Sequence, residues 1–432
     1  MTTGTSRDAS GTSRDAPGTS RDAPGTSRDA PGRPARPFFS GRPGVAATRA
    51  EAVQAAGVAV ALTAAWRLVT PLVGQPVCCD AGHYLEMAAD PGQAVIRPYS
   101  SRVLVPWLVH LLGGEPATTY HAISLACLAA SGLLVYLLAR RLGASHGWAL
   151  AATAGLLCSR GWVFYLYDPY LSDPAAFALL AGAFLALVRA RPTWLVAPLL
   201  VLMAGTRELF AGVALPVYAW LASGRRLDRA AALRTAALLA PAVVAFVLVL
   251  AYAPSLPSVE YSQSPATVLG HVLRTRMDQD GPFWLGSAFA MSLGVWWPLA
   301  VAGLGSGPVR RLAWWLAPVF ANFLIGWDWS RYALYAFPVV MPAAALALAR
   351  SPRPRLLLGV VALQALLPLA DLAAGKPQLN RAGPSLAISL ALTAAVSVLL
   401  LLDRGRSRSP ALVSRAGSDP PQAGQAGASG TR

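Results

Sequence analysis

Apolar runs long enough to cross a bilayer recur along this chain from Ala52 to Leu402 with only short polar breaks between them. A helix needs about twenty such residues to traverse roughly 30 Å of hydrocarbon, and only a helix or a closed barrel satisfies its own backbone hydrogen bonds there. A chain of 432 residues that is 55% hydrophobic and 13% charged carries more apolar surface than a soluble core of that size buries. The pattern therefore predicts an all-α polytopic transmembrane helical protein. Twelve spans are expected, at about 52–74, 118–139, 147–166, 173–188, 193–205, 208–222, 231–252, 283–304, 312–326, 332–349, 356–372 and 385–402, with eleven to thirteen as the range.

These spans form one transmembrane domain, residues 49–402, between two polar tails. Residues 4–31 hold four copies of a seven-residue unit, GTSRDAS once and GTSRDAP three times. A heptad invites a coiled-coil reading, but each unit has a single alanine as its apolar position and places Gly, and usually Pro, where a helix must continue. Residues 1–48 are read as a disordered cytoplasmic tail without a signal peptide, and residues 403–432 as a second disordered cytoplasmic tail. The formal charge of +16 does not imply a nucleic-acid partner, because the arginines sit in tails and short loops and not on one folded face. Four cysteines, two of them adjacent at Cys78 and Cys79, are too few and too poorly spaced for a disulfide framework or a zinc site.

The arginines report topology. With the amino terminus in the cytoplasm, the inner loops hold Arg140 and Arg141, Arg189 and Arg191, Arg225 and Arg226, Arg310 and Arg311, then Arg350, Arg353 and Arg355, as the positive-inside rule requires. The same assignment sends the acids Asp80, Glu86, Asp90, Glu115, Asp168, Asp173, Glu208, Asp328 and Asp371 to the extracytoplasmic side. It requires a break at Gly205 to Glu208, read as a hairpin of broken or re-entrant helices. Residues 100–113 are too few to span and contain a proline, so an interfacial helix is expected in the first outer loop, anchored by Trp107.

Asp80, His83, Tyr84 and Met87 recur at helical spacings of three and four and should share a face, with Glu86 pointing elsewhere. Ionisable groups at membrane depth are retained mostly where they pair or line a wet cavity. Arg207 and Glu208, Asp328 and Arg331, and the acids of YDPYLSDP, Asp168 and Asp173, fall at the same predicted face. A simple structural ion pair of Arg207 and Glu208 with a neighbouring span, and a local pair of Asp328 with Arg331, are the bland alternatives. His83 with Asp80 and Asp168 would make a divalent-cation site, and no other cofactor is indicated.

The stretches CCDAGHYLEMA and RPYSSRVLVPWLV resemble a pattern of the C-type glycosyltransferase superfamily, Asp-x-x-x-Tyr followed by Pro-Tyr/Phe-x-x-Arg-Val-Leu-x-Pro, matched here by Asp80, Tyr84, Pro98, Tyr99, Arg102, Val103, Leu104 and Pro106. The likeness extends loosely over residues 52–402, and it lacks the second acid that several branches carry close to the first. It implies an inverting enzyme of the cell membrane that moves a sugar from a polyprenyl-phosphate carrier to a glycan, lipid or protein acceptor. In that reading Asp80 is the base, with Asp168 or Glu208 as alternatives, and Arg331, Arg207 and Arg102 hold the lipid phosphate. Asp168, Asp173 and Asp328 orient the sugar or a cation beside His83, and Tyr84, Trp327 and Trp329 offer ring faces. A transporter or flippase of a lipid-linked sugar is the rival expectation, one that predicts paired broken helices.

Overall fold

The computed structural model describes residues 46–70, 80–188, 196–207, 229–257, 270, 274, 284–324, 329–374 and 384–407. Residues 1–45 and 408–432, the expected span 208–222, most of the loop 258–283, and Cys78, Cys79, Glu208, Trp327 and Asp328 lie outside these residues, whereas 403–407, expected in the disordered tail, continue the last helix. What is described is almost wholly helical, and the chain is an all-α polytopic membrane protein.

The helices start and stop where the local chemistry dictates. α1 (Arg49–Val69) opens on a capping box, in which the Thr48 hydroxyl accepts from the Glu51 N–H and the Glu51 carboxylate accepts from the Thr48 N–H. α2 (Asp80–Ala89) follows, then α3 (Leu104–Leu112), which stops at Gly113 with φ of 71°, a conformation that glycine adopts without strain. α4 (Pro116–Arg141) has proline at its start, where the missing N–H costs nothing, and Glu115 as its cap. α5 (His146–Leu157) and α6 (Arg160–Tyr167) are one apolar run broken at Cys158–Ser159 and bent by 49°, with the Ser159 hydroxyl capping α6. α7 (Asp173–Val188) and α8 (Val196–Ala204) come next, then the long α9 (Arg229–Tyr252). α10 (Trp284–Ser292) and α11 (Trp296–Gly303) meet near Gly294, and the stretch Gly286–Ser292 lies at 95° to α11. After a single turn at Gly307–Arg310 come α12 (Leu316–Ala321), α13 (Trp329–Leu334), α14 (Phe337–Arg350), α15 (Pro354–Ala373) and α16 (Pro384–Ser407).

Among the described residues five helices are long and apolar enough to cross a bilayer, or seven if each bent pair counts as one span. Those seven coincide with seven of the twelve expected spans; of the other five, 208–222 lies outside the described residues, 193–205 is described only in part, as α8, and α7, α14 and Leu312–Ala321 are apolar but short.

α4 and α14 form the centre of the bundle: α4 packs against α1, α5 and α7, and α14 against α5 and α11. Small residues let the axes approach. A side chain at Gly303 would run into the Ala343 backbone carbonyl, and one at Gly155 into the Trp296 ring. α9 by contrast is little buried and presents Val243, Val244, Val247 and Leu248 outward, as a lipid-facing helix does. α3 has the amphipathic character expected of the interfacial helix: Val105, Pro106 and Val109 are buried while Trp107, Leu108, Leu111 and Leu112 are exposed. Among the described residues the strand content is a parallel two-residue pairing of Val95–Ile96 with Ser255–Leu256, which ties the segment after α9 to the loop between α2 and α3.

Candidate functional site

Six charged side chains from five helix ends and one loop meet at one end of the bundle. α2 begins with Asp80, α6 is followed by Asp168, α7 begins with Asp173, α8 is followed by Arg207, α13 carries Arg331, and Arg102 precedes α3. Helix ends suit this role because they leave backbone groups unpaired and carry partial charge; the first turn of α7 favours the Asp173 carboxylate.

Asp173 is fully buried and is the hub. Its Oδ1 accepts from Arg207 Nη1 at 2.5 Å and from the Tyr335 hydroxyl at 2.5 Å, and its Oδ2 accepts from Arg331 Nη2 at 2.6 Å. The Arg207 guanidinium lies 5.6 Å from the Tyr332 ring centre and 5.9 Å from that of Tyr335, within cation–π range. Tyr335 is in turn fixed by the aromatic core, its ring edge-on to Phe177 at 4.7 Å.

From this hub Arg331 reaches outward, its Nη1 lying 3.9 Å from Asp80 Oδ2. The Asp80 side chain keeps 22% of its surface accessible, and its Oδ1 accepts from the Tyr99 hydroxyl at 2.8 Å. Tyr99 is itself held by His83 stacked at 4.8 Å, by the edge of Tyr84 at 5.7 Å, and by Arg102 at 5.5 Å over its face. Arg102 donates from Nη1 to the buried Tyr84 hydroxyl at 2.6 Å.

Asp168 lies in the fields of Arg331, Asp80 and Asp173. Its Oδ1 is buried without a hydrogen-bond partner among the described residues. Burial is the main influence on its carboxyl, pushing its pKa up to about 6; the Arg331 charge opposes that and the Asp80 charge adds to it. A carboxyl that titrates near neutrality, next to one that is open to solvent, is an arrangement suited to proton transfer.

The expected convergence of Asp80, Asp168, Asp173, Arg207 and Arg331 is thus present, with Arg102, Tyr84 and His83 around it. Several particulars differ from expectation. Asp173 is saturated by protein donors, so it holds arginines in place and is not available to a sugar. Tyr84 is fully buried with its hydroxyl engaged, and serves as a wall of the site and not as a stacking face. Arg207 pairs with Asp173 of the neighbouring α7, as the bland alternative of a structural ion pair with a neighbouring span has it, since a cation buried to 2% exposure requires a buried counter-charge. His83 Nδ1 turns to Glu86 at 3.6 Å, and among the described residues no three His, Cys, Asp or Glu side chains gather as a metal would require. Trp329 is buried and stacks on Phe323 at 5.6 Å, so its ring is part of the packing. Glu208, Asp328 and Trp327 lie outside the described residues.

Tyr335, not singled out by the sequence reading, carries no signal of its own in the sequence except its place one helical turn beyond Arg331, and Tyr99, a matching position of the family pattern, gains its role only from its contact with Asp80. A second buried ion pair, Arg160 with Asp371, was also not foreseen; it joins the α5–α6 break to α15, where Ser385 donates to Asp371.

Comparison with family models, curated proteins and solved structures finds no match to this chain.

Proposed function

We propose that this protein is a membrane glycosyltransferase that moves a sugar from a polyprenyl-phosphate carrier to an acceptor hydroxyl on the extracytoplasmic side of the cell membrane. The observation that carries the reading is the Asp173–Arg331–Asp80 chain, which sets a fixed cation beside an accessible carboxylate, with Asp168 in the same field. The sequence resemblance in the segments of Asp80 and Arg102 supports it from a different direction.

An alcohol is a poor nucleophile at neutral pH. As its oxygen attacks the anomeric carbon, its proton passes to a carboxylate, here Asp80, oriented by Tyr99 and Arg331. The bond from the anomeric carbon to the phosphate oxygen breaks on the opposite face, so configuration inverts, and the departing lipid phosphate gains charge. Arg331, with Arg102 and Arg207 behind it, stabilises that charge. Asp173 keeps Arg331 and Arg207 from collapsing onto Asp80, which preorganises the cations for an incoming anion. No step is routed through a metal ion.

The test is transfer of labelled sugar from defined polyprenyl-phosphate donors by membranes that hold the intact protein, Asp80→Asn or Arg331→Gln. Loss of a general base costs roughly 100-fold to 10,000-fold in rate. Full activity in Asp80→Asn removes Asp80 from this role. No transfer by the intact protein from any such donor removes the reaction itself.

A second reading, a transporter or flippase of a lipid-linked sugar, is favoured by one observation. The two bent helix pairs, at 49° and 95°, are the kind of paired breaks found where carriers bind their cargo. Movement of a lipid-linked sugar across vesicles without sugar transfer supports this second reading.

A further inference from the structure

Another set of buried polar atoms has no hydrogen-bond partner among the described residues. Thr63 and Arg67 stand one turn apart on α1 and so share a face, and His121 is in the second turn of α4, which packs on α1. Thr63 Oγ1, Arg67 Nη1 and His121 Nε2 are each buried, and none has a hydrogen-bond partner among the described residues. Thr63 as a whole is only 6% exposed. The Arg67 guanidinium acts electrostatically on both the His121 ring and the Tyr170 hydroxyl, so its charge is felt at α4 and at the loop that follows Asp168. Glu115, the acid that shares the field of Tyr170, accepts from the N–H groups of Ala117 at 3.0 Å and Thr118 at 2.5 Å, and so caps α4.

Burying a polar atom without a partner is costly, and native structures retain such atoms mainly where water or an ion completes them. Here the unpartnered atoms are a hydroxyl, an imidazole nitrogen and a guanidinium N–H, all able to donate. Buried donors on two helices that pack on each other, one of them a guanidinium, suit a tetrahedral oxyanion. Their depth narrows the class, because Arg67 lies in the last turn of α1 and His121 near the start of α4. Helices that span a bilayer end at the level of the lipid headgroups.

We propose that Thr63, Arg67 and His121 form a binding site for a phosphate group, separate from the Asp173 hub and independent of the reaction assigned to it. The phosphate belongs either to a phospholipid headgroup or to a free anion, and both satisfy the same donors.

The full chain in a neutral detergent is titrated with dioleoylphosphatidylglycerol, with dioleoylphosphatidylcholine and with inorganic phosphate, and the thermal unfolding midpoint is followed. Phosphatidylglycerol or inorganic phosphate is expected to raise the midpoint, and whichever acts at lower concentration identifies the source. Arg67→Gln is expected to weaken the apparent affinity about tenfold or more, with partial recovery in Arg67→Lys. Arg353→Gln, at a distant turn, should leave the affinity unchanged. Each variant is read against its own unliganded midpoint, and Thr63→Val, which keeps the side-chain shape, provides a second variant should Arg67→Gln not fold. The proposal is overturned if neither anion stabilises the intact protein, or if Arg67→Gln and Thr63→Val both bind as the intact protein does.

Discussion

Replacing Asp173 with asparagine tests whether the hub holds its arginines by charge or merely by packing. Asparagine preserves the size and the Oδ1 acceptor that Arg207 and Tyr335 use, but it sets an N–H₂ group where Oδ2 accepts from Arg331 at 2.6 Å. One charge is lost, and one strong acceptor becomes a donor facing a donor. Arg207 is 2% exposed and Arg331 7%, so water cannot replace the missing carboxylate unless the helix ends separate. Removing one partner of a buried ion pair costs about 3–5 kcal/mol. The upper half of that range applies because two cations lose the same counter-charge. The assay is reversible unfolding in mixed detergent micelles of the intact chain, Asp173→Asn, Arg207→Gln and the double variant. In the double variant one of the two stranded cations is gone, so the losses should fall short of additivity by at least about 2 kcal/mol. A loss below about 1 kcal/mol for Asp173→Asn, or additive effects in the cycle, would refute the view that Asp173 organises the site electrostatically.

Other expectations follow from particular contacts. Asp168 has its carboxyl raised from 3.8 to about 6, so the folded state holds a proton that the unfolded state has already released. Stability should therefore fall as pH rises from about 4 to 6, by roughly 2–3 kcal/mol in all, and Asp168→Asn should abolish that slope in pH-dependent unfolding. A slope of the opposite sign would disprove the shift. If sugar transfer requires the Asp168 charge, its rate should drop on the acid side of about pH 6, a limb that Asp168→Asn removes. Gly303→Ala should cost about 2–3 kcal/mol in the same unfolding assay, since its methyl group meets the Ala343 carbonyl, and a neutral effect would mean that α11 and α14 are not in close contact. Tyr99→Phe removes the hydroxyl that orients Asp80 while retaining the ring between His83 and Arg102; transfer should weaken while unfolding changes by about 1 kcal/mol or less.

Hydropathy alone was sufficient to identify an all-α membrane protein and to mark most of the apolar runs that fold as its helices. Twenty-residue apolar periodicity is a one-dimensional property, written directly in the chain. The acids and arginines of the site could also be named in advance, because charge is rare in such a background and stands out. What the sequence could not state is which charge meets which. Arg207 has Glu208 as its neighbour in the chain, yet it pairs with Asp173, and Arg331 reaches both Asp173 and Asp80. Such pairings depend on the packing of α7, α8 and α13, which brings Arg207, 34 residues on in the chain, and Arg331, 158 residues on, within hydrogen-bond range of Asp173. The distinction between a saturated carboxylate at Asp173 and an accessible one at Asp80 is likewise a matter of burial, set by the neighbours of each helix end. Residue type decided that charges would be here; tertiary packing decided which of them are occupied by protein and which are left to act.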